Sequence, residues 1–282
     1  MIDFRVTFCF ESCSSGIASR VPAMRRVAVL IAISACGILA AADPEKKTWK
    51  VGDVEREALV AKPAKAKNPP LVFVWHGHGG TMKFAAKSMP IHDHWPEAIV
   101  VYPQGLNTPG RLTDPDGKKS GWQETKGDQK DRDLEFFDAM LKSFADDGID
   151  ENRIYSTGHS NGGGFTYLLS AHRGKSLAAV APSACIGMVR GADPIPVLHI
   201  AGENDELVKF EWQQKMIERV KKLNGAVGEG KEWEKLGKIY ASKDGAPVAT
   251  YIHDGSHKYP EAAPKLIAAF FKEHPKAAEK KK

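Results

Sequence analysis

The chain has 282 residues, of which 42% are hydrophobic, 27% charged and 9% aromatic, a globular balance that excludes collagen-like, coiled-coil and wholly disordered chains. Its length allows one large domain or two small ones, with a core that needs no disulfide or metal to hold it. The formal charge of +5 resides at the ends: residues 1–42 carry +2 and residues 275–282 carry +3, so the body is neutral. A neutral body lacks the electrostatic footprint of a nucleic-acid binder.

The first 42 residues read as an address. Met24-Arg25-Arg26 precedes the apolar run VAVLIAISACGILAAA, and Ala40-Ala41-Ala42 fits a small-residue cleavage site. The run is short for a membrane span, and no charge anchors its far end. We therefore expect translation from Met24, cleavage after Ala42 and a secreted or periplasmic mature chain with no stable membrane insertion. Lipoprotein processing at Cys36, after Ile33-Ser34-Ala35, is the lesser alternative. Cys9, Cys13 and Cys36 lie in this presegment, which leaves Cys185 as a core thiol with no disulfide partner.

Along the body, Thr48–Val60 reads as a first strand and Leu71–His76 as a strand buried on both faces. Thr81–Met89 suits a short helix and Ala98–Tyr102 another buried strand. Gln104–Gly127, polar and rich in Gly and Pro, reads as a long loop. Asp128–Asp147 has helical period, with Leu134, Phe137, Leu141 and Phe144 on one face and Gly148 as its C-cap. Arg153–Thr157 is a strand running into a helix over Gly162–Ala171. Further strands are expected at Leu177–Ala181, Val197–Ala201 and Val248–Ile252, and helices at Glu211–Leu223 and Ala262–Glu273. Gly225–Gly245 shows no decisive pattern. Strands alternating with helices predict an α/β domain over 43–274, with a mostly parallel sheet and helices on both faces. Residues 275–282 read as a Lys-rich disordered tail.

The chemistry concentrates at Gly158-His159-Ser160-Asn161-Gly162, which matches G-x-S-x-G. In that motif a serine sits on a strained strand-to-helix turn with its Oγ exposed, and the flanking glycines prevent collisions with neighbouring backbone. A serine nucleophile needs a base, and the base needs an orienting acid. Asp205 follows the strand Val197–Ala201 and His257 follows the strand Val248–Ile252, in the chain order Ser, Asp, His. Both lie where open α/β sheets place their sites, beyond the carboxyl ends of strands. Glu203 and Glu206 flank Asp205, and His253 precedes His257; these rivals read more simply as solvated loop residues. Two backbone donors should stabilise the oxyanion. One is the N–H of Asn161, at a helix N-terminus; the other is the N–H of His78 in His76-Gly77-His78-Gly79-Gly80, with Gly79 as second choice. Trp122, in the polar loop, is a candidate for stacking a sugar or aromatic acyl group, although an aromatic anchoring the loop is the simpler reading. His92-Asp93-His94 has a ligand-like look, but no further Cys or His cluster and no H-E-x-x-H supports a metal.

The segments HGHGG, VVYPQG, RIYSTGHSNGGG, PVLHIAGENDELV and GSHKYP follow one another in an order that resembles the polyhydroxybutyrate depolymerase and feruloyl esterase-like group of α/β-hydrolases, over about residues 50–272. The resemblance implies an α/β-hydrolase fold and a secreted serine esterase with the triad Ser160, Asp205 and His257 and no metal or organic cofactor. It implies ester substrates: hydroxycinnamate or acetyl esters on plant polysaccharides, or short polyhydroxyalkanoates. Lys258 and Tyr259 depart from the small polar residue and the Trp frequent in that group, and the paired cysteines of many secreted relatives are missing. A serine peptidase of the same fold and a catalytically silent binder on the same scaffold are the rival readings. The oligomeric state is left open by the sequence.

Overall fold

The computed structural model describes residues 43–235 and 237–276. The expected signal segment, its cleavage after Ala42, the Cys36 alternative and residues 277–282 lie outside them. The described residues begin with a hairpin, β1 (Glu45–Val51) and β2 (Val54–Ala61). The single strand expected over Thr48–Val60 is corrected here: Gly52, at φ +56, turns the chain back on itself. There follow β3 (Leu71–Trp75), the short helices α1 (Met82–Ser88) and α2 (Ile91–His94), and β4 (Ile99–Pro103).

The long loop expected over Gln104–Gly127 is present as an excursion with a little structure of its own. It carries β5 (Leu106–Asn107) paired antiparallel with β6 (Ser120–Gly121). Then come α3 (Arg132–Asp146), β7 (Ile154–His159), α4 (Asn161–Arg173), β8 (Ala179–Ser183), β9 (Val197–Gly202) and α5 (Phe210–Leu223). Helix α3 starts four residues later than its hydrophobic period predicts, because Gln129, Lys130 and Asp131 all take positive φ. The undecided stretch 225–245 supplies two short strands, β10 (Lys231–Glu232) and β11 (Gly237–Tyr240). β12 (Val248–His253) and α6 (Ala263–Glu273) close the fold. Lys276, inside the expected tail, donates its N–H to the Asn152 carbonyl (2.9 Å) and its Nζ to the Lys175 carbonyl (2.6 Å).

Among the described residues, ten strands form one sheet in the order β1-β2-β4-β3-β7-β8-β9-β12-β11-β10. The six central strands from β4 to β12 run parallel, and the antiparallel pairs β1-β2 and β11-β10 finish its two edges. Strand alternation sends Leu71, Phe73 and Trp75 into one layer with α3, α4 and α5, whereas Val72 and Val74 enter the other with α1, α2 and α6. Parallel strands covered on both faces explain the continuous apolar runs LVFVW and IVVYP, in which every residue is buried. The parallel direction aims the loops after β3, β7, β9 and β12 at one rim of the sheet, where ligands of open α/β sheets bind. No described helix is long and apolar enough to cross a membrane.

Candidate active site

Strand β7 ends at His159, and α4 begins at Asn161, so Ser160 alone makes the turn between them. Its backbone is held at φ +55, ψ −121, a region that costs a non-glycine residue of order 1–3 kcal/mol. The strain persists because the surroundings leave no alternative. A Cβ at Gly158 would lie 2.5 Å from the Gly162 carbonyl, and one at Gly162 would strike the carbonyl oxygens of Trp75 and His76. The motif glycines are thus where β3, β7 and α4 touch backbone to backbone.

Ser160 Oγ lies 2.9 Å from His257 Nε2, and His257 Nδ1 lies 2.8 Å from Asp205 Oδ2. With Nδ1–H donating to the carboxylate, Nε2 is free to accept from the serine hydroxyl. Asp205 is buried. Its Oδ1 accepts the N–H groups of Leu207 (3.0 Å) and Val208 (2.9 Å), and its Oδ2 also accepts the Gln213 amide (3.0 Å) from α5. The acid and histidine loops are zipped together. Glu203 and Asn204 donate their N–H groups to the carbonyls of His253 and Gly255, and Gly202 lets the histidine loop lie directly on β9. Glu203 and Glu206 are exposed, as the sequence reading has them. His253 accepts the Gly255 N–H on Nδ1 and stacks on Tyr251.

His159, the variable residue of the motif, has a role the sequence reading did not assign. Its Nε2–H donates to the His257 carbonyl at 2.9 Å, and Ser183 Oγ lies 3.3 Å from its Nδ1. Burial lowers its pKa to about 4, so the ring stays neutral and keeps this pattern. Tyr259 packs edge-on against it, with ring centroids 5.6 Å apart. The adjacency of a histidine to the motif serine was the available signal, but nothing in sequence told that it reaches 98 residues onward.

Two backbone donors line the cleft beside Ser160. The N–H groups of Asn161 and His78 make no hydrogen bond among the described residues, whereas Gly79, the second choice, gives its N–H to the Ser120 carbonyl at 2.7 Å. The Asn161 side chain faces the excursion 104–127 and clamps it: Oδ1 accepts the Trp122 N–H (2.7 Å) and Nδ2 donates to the Trp122 carbonyl (2.9 Å). The His78 ring holds the same excursion through Asp114 Oδ2, 3.1 Å from Nε2.

Trp122 is not a substrate platform. It is fully buried, donates Nε1–H to the His76 carbonyl (2.9 Å) and packs edge-on against Trp75, so the stacking role is corrected to that of a loop anchor. His92 points its Nδ1 at the Tyr102 hydroxyl (2.6 Å), and no group of three or more potential metal ligands occurs among the described residues. Lys118 pairs with Asp116 at the exposed loop tip. Cys185 borders the cleft as a buried thiol whose pKa burial pushes up, which keeps it protonated.

The cleft over Ser160 has a volume of about 1030 Å³. Exposed Phe84, Leu112, Ile186, Met188 and Leu207 line it together with Trp212 and Met216. The arrangement can attack a carbonyl carbon with Ser160 Oγ, pass the proton to His257 Nε2 and collect the resulting negative charge on two N–H donors.

No family model matches the chain. It is 30% identical over 215 residues to "Probable feruloyl esterase C" of Aspergillus niger, an alignment covering 68% of this chain and 72% of that one. The chain belongs to the feruloyl esterase-like group of α/β-hydrolases. As a member it is a carboxylic ester hydrolase. The esterase is also 26% identical over 215 residues to "Feruloyl esterase D" of Neurospora crassa, covering 66% of this chain and 67% of that relative. Its fold matches the crystal structure of the Bacillus cereus carboxylesterase with a TM-score of 0.58 at 16% identity, over 77% of this chain and 94% of that one.

Proposed function

We propose that this esterase is exported and cleaves feruloyl or acetyl esters of plant polysaccharides through a Ser160–His257–Asp205 triad. The observation that carries the reading is the continuous chain from Ser160 Oγ to His257 to the buried Asp205 carboxylate, with distances of 2.9 and 2.8 Å, beneath an apolar cleft. Ser160 Oγ attacks the ester carbonyl as His257 Nε2 takes its proton. Asp205 fixes the tautomer and stabilises the imidazolium, and the N–H groups of Asn161 and His78 receive the oxyanion. The alcohol leaves with the proton from His257, and water then cleaves the acyl-enzyme by the same steps. The apolar wall of Phe84, Leu112, Ile186 and Met188 suits the ring of a hydroxycinnamoyl group. Export rests on the Met24-Arg25-Arg26 and Ala40-Ala41-Ala42 pattern.

Initial rates of the protein and its Ser160→Ala variant on methyl ferulate, acetylated xylan and a hydroxybutyrate oligomer test the proposal. We expect the variant to lose at least about 10³-fold in kcat, with the ferulate or acetyl ester turned over best. Turnover unchanged by the substitution refutes the triad. A preference for the hydroxybutyrate oligomer moves the substrate to the polyester class.

A further inference from the structure

One wall of the cleft is a face of α5. Trp212, Lys215, Met216 and Arg219 recur at helical spacing along it, and all four border the same cavity as Ser160. Two of the four are aromatic or apolar and continue the rim. The other two are cations, and neither Lys215 nor Arg219 makes an ion pair among the described residues. Two neighbouring cations are paired: Lys221 on the same helix with Glu218 at 3.0 Å, and Arg111, which also borders the cavity, with Glu124 at 2.6 Å. Among the described residues Glu124 is the one Asp or Glu bordering the cavity, and it is paired with Arg111, so the charges of Lys215 and Arg219 are uncompensated within it.

A neutral ester offers these two cations hydrogen-bond acceptors but no opposite charge. From this placement we propose that Lys215 and Arg219 form an anion subsite, and that the esterase favours substrates bearing a free carboxylate in addition to the scissile ester. The proposal rests on Ser160 being the nucleophile, since only then is this cavity the one in which the ester reacts. Charges of one sign in a cleft with low-dielectric walls attract an oppositely charged substrate and hold it, and added salt weakens the effect. The carboxylate has two possible positions relative to the ester. It belongs to the acyl part in a half-ester of a dicarboxylic acid. It belongs to the alcohol part in an acylated hydroxy acid, whether a uronate sugar or the acid end of a hydroxyalkanoate oligomer.

The test compares each acid with its neutral carboxamide. Monomethyl glutarate against methyl glutaramate probes the acyl side, and O-acetyl-3-hydroxybutyrate against its amide probes the alcohol side. In the wild-type protein at low salt we expect kcat/KM for the acid to exceed that for the amide about threefold to tenfold in one of the two pairs, the range that two solvent-facing ion pairs supply. The pair that responds fixes the side. The ratio should fall toward one in the Lys215→Gln/Arg219→Gln protein and at high salt. A ratio of one or below in both pairs overturns the subsite, as does a preference that survives the double substitution. The same acid-to-amide ratio, read as Kd by calorimetry in Ser160→Ala with and without the two glutamines, needs no turnover. Neutral-ester hydrolysis persisting in Ser160→Ala would sink the nucleophile assignment, whereas full loss there with a binding ratio of one would sink the subsite alone.

Discussion

Gln213 donates to the same Asp205 oxygen that holds the His257 ring. Its Nε2 lies 3.0 Å from Oδ2 and 2.7 Å from the Val208 carbonyl, so a fully buried amide ties α5 to the acid loop. A donor on Oδ2 draws negative charge away from the imidazole and weakens its stabilisation of the imidazolium. Gln213→Leu removes that donor and leaves the Leu207 and Val208 N–H groups in place. The Asp205 oxygen and the Val208 carbonyl then lose a buried donor, so the urea-unfolding free energy should drop by about 1–3 kcal/mol while kcat/KM falls no more than about tenfold. A much larger loss of kcat/KM with stability unchanged would instead make the amide a positioning residue for His257. Gln213 could not be singled out from sequence. It is one of several polar residues on an amphipathic helix, and nothing local marks it as the one that turns inward. Ser160, Asp205 and His257 were legible because a strained turn and a fixed chain order constrain residue type at each position.

At the scale of elements, the excursion 104–127 is the long loop its composition predicts, held by ties its composition does not show. Its polarity, glycines and prolines read as a long loop, and its backbone is tied down by side chains from elsewhere. Asn161 clamps Trp122, His78 reaches Asp114, and Gln123 exchanges hydrogen bonds with Asp133. Asp133 in turn pairs with Arg56 of β2 at 2.9 Å, both side chains fully buried, while Arg56 stacks on Phe136 and donates to the Gln104 carbonyl. Such long-range ties leave no trace in local composition. Trp122 anchors the loop, as the simpler reading has it, but its partner was illegible for the same reason, since the hydrogen bond to His76 bridges two segments far apart in the chain. Breaking the buried pair should be severe: Asp133→Asn leaves the Arg56 charge unmatched in the interior and should cost about 3–5 kcal/mol by urea unfolding. Asp138→Asn, which breaks the half-exposed pair with Arg173, should cost about 1 kcal/mol or less. Equal losses in the two variants would show that the buried pair does not anchor the excursion.

Over the whole molecule, two fully buried histidines couple stability to pH. His76 is satisfied as a neutral ring, with Nδ1–H donating to the Gly77 carbonyl and Nε2 accepting the Gly105 N–H. His199 meets the Tyr167 hydroxyl on Nδ1 at 2.6 Å. Burial lowers both pKa values from 6.5 to about 4. Between those limits the unfolded chain binds protons that the folded one refuses, so the stability these groups contribute is complete above pH 6.5 and is lost as pH falls toward about 4. Each contributes a slope of about 1.4 kcal/mol per pH unit at most within that window. Carboxylates titrate over part of the same range, so the wild-type slope alone does not isolate a histidine. Subtraction does: His199→Gln should flatten the acid-side decline in urea-unfolding free energy between pH 6.5 and 4.5 by one histidine's share and leave the two profiles parallel above pH 7. Parallel profiles across the whole range would mean that His199 is charged in the folded protein or that its proton is not released on folding. The packing of the central strands around a neutral His199 would then need a different explanation.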